Sequence, residues 1–395
     1  MPDSDPVRLL KDLIGRPSVT PETAGVLDVL ESELIPLGFT VERLRFEDEE
    51  SYPVDNLFAT RRGKAAGKHL LFAGHTDVVP PGDVAAWTHP PFSAEIADGL
   101  MFGRGAADMK SGIAAFVAAA ARAVSDGSAE NGTISLAITN DEEADAVNGT
   151  EKLLAWAAEE EHRFDFAIVG EPSARASVGD SIKIGRRGSL NGRITVTGIQ
   201  GHVAYPEKAR NPLPAMAAII TGLTGALDKG NAQFPPSNLE FTSVDVGNPT
   251  TNVIPAQATA QFNVRFNDGW TPESLVKHIE DWIAREKAAN AMVRGCEVLF
   301  EVSGRASRSF LSPQGEGVET LADVIAGVTR ARPELSTAGG TSDARFVAAY
   351  CPVVEFGLPG STMHKVDEHV VVADVERLSD LYRRFIAAYF GESRA

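Results

Sequence analysis

Cysteine is scarce: 395 residues contain two, Cys296 and Cys351, far apart and in no Cys-x-x-Cys pair. They cannot build a disulfide framework, and both read as buried apolar residues. Long apolar runs are missing as well. The longest, Gly112 to Val124, is Ala-rich and shorter than the roughly 20 residues a bilayer span needs. The opening Met1-Pro-Asp-Ser-Asp-Pro-Val7 has no basic or apolar segment, so no signal peptide is expected and a cytoplasmic location follows. Positive charge is in short supply: 37 Lys and Arg stand against 54 Asp and Glu, a net charge of −17. Nucleic acid and anionic membranes are therefore poor partners, since both need a basic face. The acidity serves solubility, and an anionic substrate would need a local cluster of Arg or Lys. No internal repeat or low-complexity segment is present.

The length favours two domains. Asp5-Pro6 starts a helix, with Asp as cap and Pro at the first helical position. A second helix is expected over 21–37. Apolar β-rich runs follow at 56–61, 69–73, 133–138 and 166–169, with helical patterns at 111–125 and 150–160 between them. Strands separated by helices predict an α/β sheet covered on both faces. The middle differs: strand 192–197, helix 212–227, strands 239–246 and 259–266, helix 272–288, strand 297–302. That βαββαβ order is the split-βαβ sandwich. Helices 318–329 and 343–349, strand 353–356 and helix 375–389 close the chain. The expected domains are 1–187 with 304–395, and an inserted 188–303. The loop from Asp83 to Leu100 is long enough to wall a binding site.

The chemistry lies where acidic and histidine residues fall. In open α/β sheets, sites form beyond the carboxyl ends of strands. Gly74-His75-Thr76-Asp77 ends one apolar run, Asp141-Glu142-Glu143 follows another, Gly170-Glu171-Pro172 a third, and His364 comes after 353–356. Asp108 stands just before the Ala-rich helix. Each alone has a bland alternative: a capped turn, a solvated Glu-Glu pair, a helix N-cap. Gathered on one edge, carboxylates repel one another unless a cation joins them. Three carboxylates and a hydroxide balance two dications. A mixed nitrogen and oxygen set suits two divalent metals, Zn²⁺ first, with Co²⁺ in the second site or Mn²⁺ as alternatives. Gly103-Arg-Gly-Ala-Ala107 lacks the Lys-Ser/Thr ending of a phosphate loop and does not follow a β-run.

These pieces, Gly74-His-Thr-Asp-Val-Val-Pro80, Gly103-Arg-Gly-Ala-Ala-Asp-Met-Lys-Ser-Gly112, Asp141-Glu-Glu143, Gly170-Glu-Pro172 and His364, resemble the co-catalytic metallopeptidases and deacylases that include aminoacylases and glutamate carboxypeptidases. Gly185-Arg-Arg-Gly-Ser189, Gly198–Pro206, Asn252-Val-Ile-Pro255, Gly340-Thr-Ser-Asp343 and His364-Lys-Val-Asp-Glu368 are most similar to the family's desuccinylase branch. One departure is Ala144, where the family commonly has Gly. The resemblance implies a di-metal exopeptidase-like mixed-sheet domain with an inserted ferredoxin-like lid. It implies His75 and Glu171 on one metal, Glu143 and His364 on the other, and Asp108 bridging. Asp77 would orient His75 through its free ring nitrogen, and Glu142 would be the general base. The branch implies hydrolysis of the succinyl amide of N-succinyl-LL-2,6-diaminopimelate. The rivals are other N-acyl amino acid deacylases, such as acetylornithine deacetylase, and family carboxypeptidases. Arg186, Arg187 and Arg265 are natural carboxylate partners, one of the first two pointing away, with Ser189, Asn252, Gly340 and Thr341 as further substrate contacts. Thr341-Ser342 also reads as the cap of the following helix. A homodimer through the inserted domain is implied, with His202 donating to the oxyanion of the partner's site. His69, His89, His162, His278 and His369 have no constellation around them.

Overall fold

Alternation of buried side chains in short β-rich runs, and Ala-rich helical periodicity between them, produce two separate cores. The computed structural model describes residues 5–49, 51–65 and 67–391. They divide into two compact units: one within 5–184, 311–336 and 342–391, the other 185–310 with 337–341. The boundaries lie a few residues outside those expected, and the short piece 337–341 goes with the inserted unit.

The first unit is built on an eight-stranded mixed sheet. Its order is Thr40–Phe46, Val54–Arg62, Thr133–Thr139, His69–His75, Phe166–Val169, Val353–Glu355, Ser181–Lys183, Glu334–Ser336. The central pairs, His69–His75 with Thr133–Thr139 and with Phe166–Val169, and that strand with Val353–Glu355, are parallel. Strands buried on both faces read as continuous apolar runs, which is why Leu70, Leu71 and Phe72 are all fully buried. Leu57 and Ala59 join the core that holds helix Ser111–Asp126, while Phe58 between them meets Trp156 of helix Thr150–Glu159 across the other face. Helix Ser111–Asp126 is buried nearly all round, because its alanines let helix Val372–Phe390 pack closely on it. Asp5 caps helix Pro6–Ile14 by accepting from the Val7 N–H at 2.8 Å.

Three expectations need correction. The helix expected from residue 21 begins at Val26, because Ala24 and Gly25 take positive φ (48° and 79°) and cannot continue a helix. The helix expected over 343–349 is one turn, Ala344–Val347, capped by Asp343 without a side-chain bond; Ser342 Oγ instead accepts from the Ala344 N–H at 3.3 Å. Gly103 does follow a strand: Leu100–Phe102 pairs with His369–Val371, too short to show a period.

In the second unit the sheet order is Gly225–Ala226, Asn238–Asp245, Gln257–Phe266, Gly188–Thr197, Glu297–Ser307. All its neighbours are antiparallel, with helices Pro212–Leu223 and Pro272–Ala289 between the strands in sequence. This is the expected ferredoxin-like sandwich, closed over its own core of Leu190, Ile194, Ile219, Phe262 and Ile279. No described helix is long and apolar enough to cross a membrane.

Candidate metal centre

The parallel central strands end on one edge, and each hands over a charged residue there. His75 is the last residue of its strand, and Glu142 and Glu143 lie beyond Thr139. Glu171 lies beyond Val169, and His364 beyond Val353–Glu355. Glycines let the backbones meet. A Cβ on Gly112 would lie 2.2 Å from the Gly170 carbonyl, and one on Gly357 2.5 Å from the Glu171 carbonyl. The start of helix Ser111–Asp126 therefore sits directly against the Glu171 segment. Asp108 precedes it in a non-helical conformation (φ −126°, ψ 102°).

The carboxylate of Asp108 divides between two imidazoles. Oδ1 lies 3.2 Å from His75 Nε2 and Oδ2 3.4 Å from His364 Nε2. His75 Nε2 is 3.6 Å from Glu171 Oε1, and His364 Nε2 is 2.9 Å from Glu143 Oε1. Ligand atoms of His75, Asp108 and Glu143 lie within 4.8 Å of one another, as do those of His75, Glu142 and Glu171. These are the described groups spaced to hold a metal ion. Asp77 departs in detail from the expected role. His75 Nδ1 meets the Asp77 backbone carbonyl at 3.0 Å, and the carboxylate stands at 3.5 Å. That carboxylate accepts the N–H groups of Glu142 and Glu143, both at 3.1 Å, and the Thr20 hydroxyl at 2.8 Å. Asp77 thus fixes the backbone of Glu142 and Glu143, the expected base and the expected ligand, together. Ala144 needs no glycine conformation; the positive φ in this loop falls on Ala146 (52°).

The charges are mutually opposed without a dication. Desolvation, with the charges of Glu171, Asp343 and Glu143, outweighs His75 and pushes Glu142 well above the usual carboxyl range. Burial and the Asp108 charge push Glu171 up to about 8. Burial opposes the charge of His75, but its hydrogen bonds to the carboxylates of Asp108, Asp77 and Glu171 raise its pKa well above normal. Bonds with Asp108 and Glu143 push His364 up to about 10. Burial opposes ionisation of Asp108, yet its two histidines hold it well below the usual range. Two imidazole Nε2 atoms face three carboxylates here, a donor set that fits a pair of borderline dications.

Sequence reasoning missed the supports. Asp141 accepts the Ala146, Val147 and Asn148 N–H groups (3.0–3.2 Å) and the Tyr52 hydroxyl (2.6 Å), shaping the Glu142-Glu143 loop. Its only local signal was an Asp opening a turn. The histidines thought isolated do meet other rings, outside the groups spaced to hold a metal. His69 and His162 lie 5.9 Å apart beside Phe164, and His89 stacks on Phe102, which also meets His369.

The second unit holds the other expected residues. Arg186 is buried and donates to the Ala338 carbonyl at 3.3 Å. Arg187 donates to Pro236 O (3.1 Å) and Asn238 Oδ1 (3.0 Å). Arg265 is opposite Ser189 in register, and its buried Nη1 has no hydrogen-bond partner. Burial and the charges of Arg187 and Arg186 press its pKa down. Ser189 Oγ accepts from Asn263 Nδ2 at 3.0 Å. Asn252, Gly340 and His202 are exposed and Thr341 is partly so. His202 Nδ1 accepts from the Ala204 N–H at 3.1 Å.

Residues 71–388 match the sequence family described as peptidase family M20/M25/M40. The chain belongs to this family. It is accordingly a metal-dependent hydrolase of amide bonds. The fold is also that of solved members. A tripeptidase from Staphylococcus aureus superposes with a TM-score of 0.78 at 19% identity, covering 99% of this chain and 100% of the other. Aminopeptidase PepT from Bacillus cereus gives 0.77 at 20%, covering 98% of each. A dinuclear metal-binding peptidase from Bacillus subtilis gives 0.68 at 16%, covering 98% of this chain and 96% of the other.

Proposed function

We propose that this hydrolase removes the succinyl group from N-succinyl-LL-2,6-diaminopimelate. The observation that carries this is Arg265, whose buried Nη1 is left without a partner and on which the charges of Arg187 and Arg186 press. A guanidinium cluster of this kind fits a ligand rich in carboxylates, which the succinyl amide of a diamino dicarboxylic acid is. Arg186 and Arg265 would be the substrate contacts, with Ser189, Asn252, Gly340 and Thr341 as further ones, while Arg187 is held by Pro236 O and Asn238 Oδ1.

His75 and Glu171 would hold one metal, His364 and Glu143 the other, with Asp108 between them, Zn²⁺ in both or Co²⁺ in the second. Bound dications supply Lewis acidity toward the amide carbonyl and a water molecule. Glu142 takes a proton from the attacking water at its carboxylate as the oxygen–carbon bond forms. It returns that proton to the amide nitrogen as the carbon–nitrogen bond breaks. Asp77 holds Glu142 by its backbone N–H throughout. His202 donates an N–H to the carbonyl oxygen as that oxygen gains charge, reaching the site of a second copy of the chain. Supporting a dimer, strand Glu297–Ser307 ends its sheet and exposes Leu299 (51%) and Val302 (42%).

A carboxypeptidase or another N-acyl amino acid deacylase is the second reading. The same arginines would take a peptide's terminal carboxylate, and the solved structures of this fold include peptidases. A substrate panel on chelator-treated, Zn²⁺-reloaded enzyme separates them. N-succinyl-LL-diaminopimelate should exceed N-acetylornithine and dipeptides in kcat/KM by roughly 100-fold or more. Better turnover of acetylornithine or a peptide would replace the substrate and leave the amidohydrolase standing.

A further inference from the structure

The two histidines of the centre are held in different ways. His75 ends a central strand, is 1% exposed at its side chain, and has its Nδ1 fixed by Asp77. His364 is 45% exposed at its side chain and sits in a loop at φ 62°. That left-handed conformation is unusual for a residue with a Cβ, and it persists only where the surroundings over-determine it. Burial does not fix His364, so another contact must.

That contact runs through a buried ion pair outside the ligand set. Glu368 is fully buried and Arg104 is 3% exposed. Arg104 Nη1 donates to Glu368 Oε2 at 2.7 Å and to the Lys365 carbonyl at 3.1 Å. Glu368 Oε1 accepts the Ala107 N–H at 2.9 Å and the Asp108 N–H at 3.3 Å. One end of the pair therefore grips the backbone of Asp108, and the other the residue next to His364. The Gly103 N–H to the Glu368 carbonyl (2.8 Å) repeats the link in the main chain. The indole of Trp87 covers the guanidinium at 5.2 Å. Asp367 Oδ1 holds the same loop from outside by accepting the Thr88 N–H at 2.8 Å.

We infer that Arg104 and Glu368 are a positioning pair that sets the separation of Asp108 and His364, and with it the affinity for the second metal. The inference rests on the two-metal reading above. A buried ion pair is weak evidence of stabilisation, because matched apolar groups often replace one at no loss. Breaking one partner alone leaves an uncompensated charge and endangers the fold. A pair that only stabilised would therefore be replaceable as a unit, whereas a positioning pair would not. Contacts behind a ligand commonly change metal affinity by about 10- to 100-fold.

The test is calorimetric Zn²⁺ titration of chelator-treated protein, with Co²⁺ absorption spectra and thermal unfolding of the metal-free chain. The wild type should take up two metals. Arg104→Met with Glu368→Met should unfold within a few degrees of wild type and bind the first metal normally. It should bind the second about 10- to 100-fold more weakly, with an altered Co²⁺ spectrum. Should that double variant not fold, Arg104→Lys decides. It keeps the buried cation but not the rigid guanidinium that holds Nη1 between the Glu368 carboxylate and the Lys365 carbonyl, and should weaken the second site about tenfold. Wild-type affinity and spectrum at both sites in either folded variant overturn the positioning role. A wild-type chain that binds only one metal overturns the two-metal reading instead.

Discussion

The two units bury charge in opposite ways. The first buries more acidic groups than basic ones: Asp77, Asp108, Asp141, Glu171, Asp343, Glu355 and Glu368 lie inside, each under a tenth exposed, against Arg104, Lys110 and Lys183. The inserted unit keeps an apolar core, and its most buried cations are Arg186, Arg187 and Arg265, the first two pressing on the third. An interior that gathers anions is arranged for cations, and one that gathers guanidiniums for a carboxylate. On the function proposed above, the first unit would carry the chemistry and the second the recognition of substrate.

Arg265→Met separates the assignments most sharply. It should lower kcat/KM on the succinyl substrate roughly 100-fold by removing a charge-assisted hydrogen bond, while metal content and unfolding temperature stay unchanged. The control is an amide lacking the carboxylate, on which the variant should be little affected. Equal loss on both substrates would give Arg265 a structural role and undo the contrast.

A smaller effect distinguishes the units by acid. In the first, burial and the charge of nearby His162 push His69 down to about 4, with Ser135 Oγ 2.8 Å from its Nε2. An unfolded histidine titrates near 6.5, so between pH 6.5 and 4 the unfolded chain binds more protons. Stability falls as pH falls through that window, by about 1–2 kcal/mol after allowance for partial exposure. In the second, Asp228 accepts from the Gly230 N–H, the Ser237 N–H, Asn267 Nδ2 and Trp270 Nε1 at 2.7–3.1 Å. These bonds overcome partial burial and hold it at about 2, so its contribution, full above pH 4, is lost only as pH falls toward 2. Unfolding of wild type and His69→Gln from pH 7 to 4 should therefore diverge, the wild type losing more. Parallel curves would remove His69 from the account.

What was legible in the sequence follows from burial. Strands covered on both faces are unbroken apolar runs, so the charged residue ending each one stands out, and His75, Glu142, Glu143 and Glu171 could be read directly. Strand Thr40–Phe46 could not. It lies at the sheet's edge, and Glu42, Arg43 and Arg45 break its period. Ser181–Lys183 and Glu334–Ser336 are too short to show one. The roles of Arg104 and Glu368 were hidden for another reason: 264 residues separate them, and only the fold brings them to 2.7 Å. The arginines were readable as partners for an anion, but not that Arg186 and Arg187 both already donate to groups of their own unit.

The central claim is that Glu142 moves the proton at a centre whose metals are held by other residues. The most direct measurement is turnover and metal content of Glu142→Ala in one preparation. Turnover should fall on the order of 10³-fold while the metal content equals that of wild type. Wild-type turnover, or loss of metal together with activity, would contradict it.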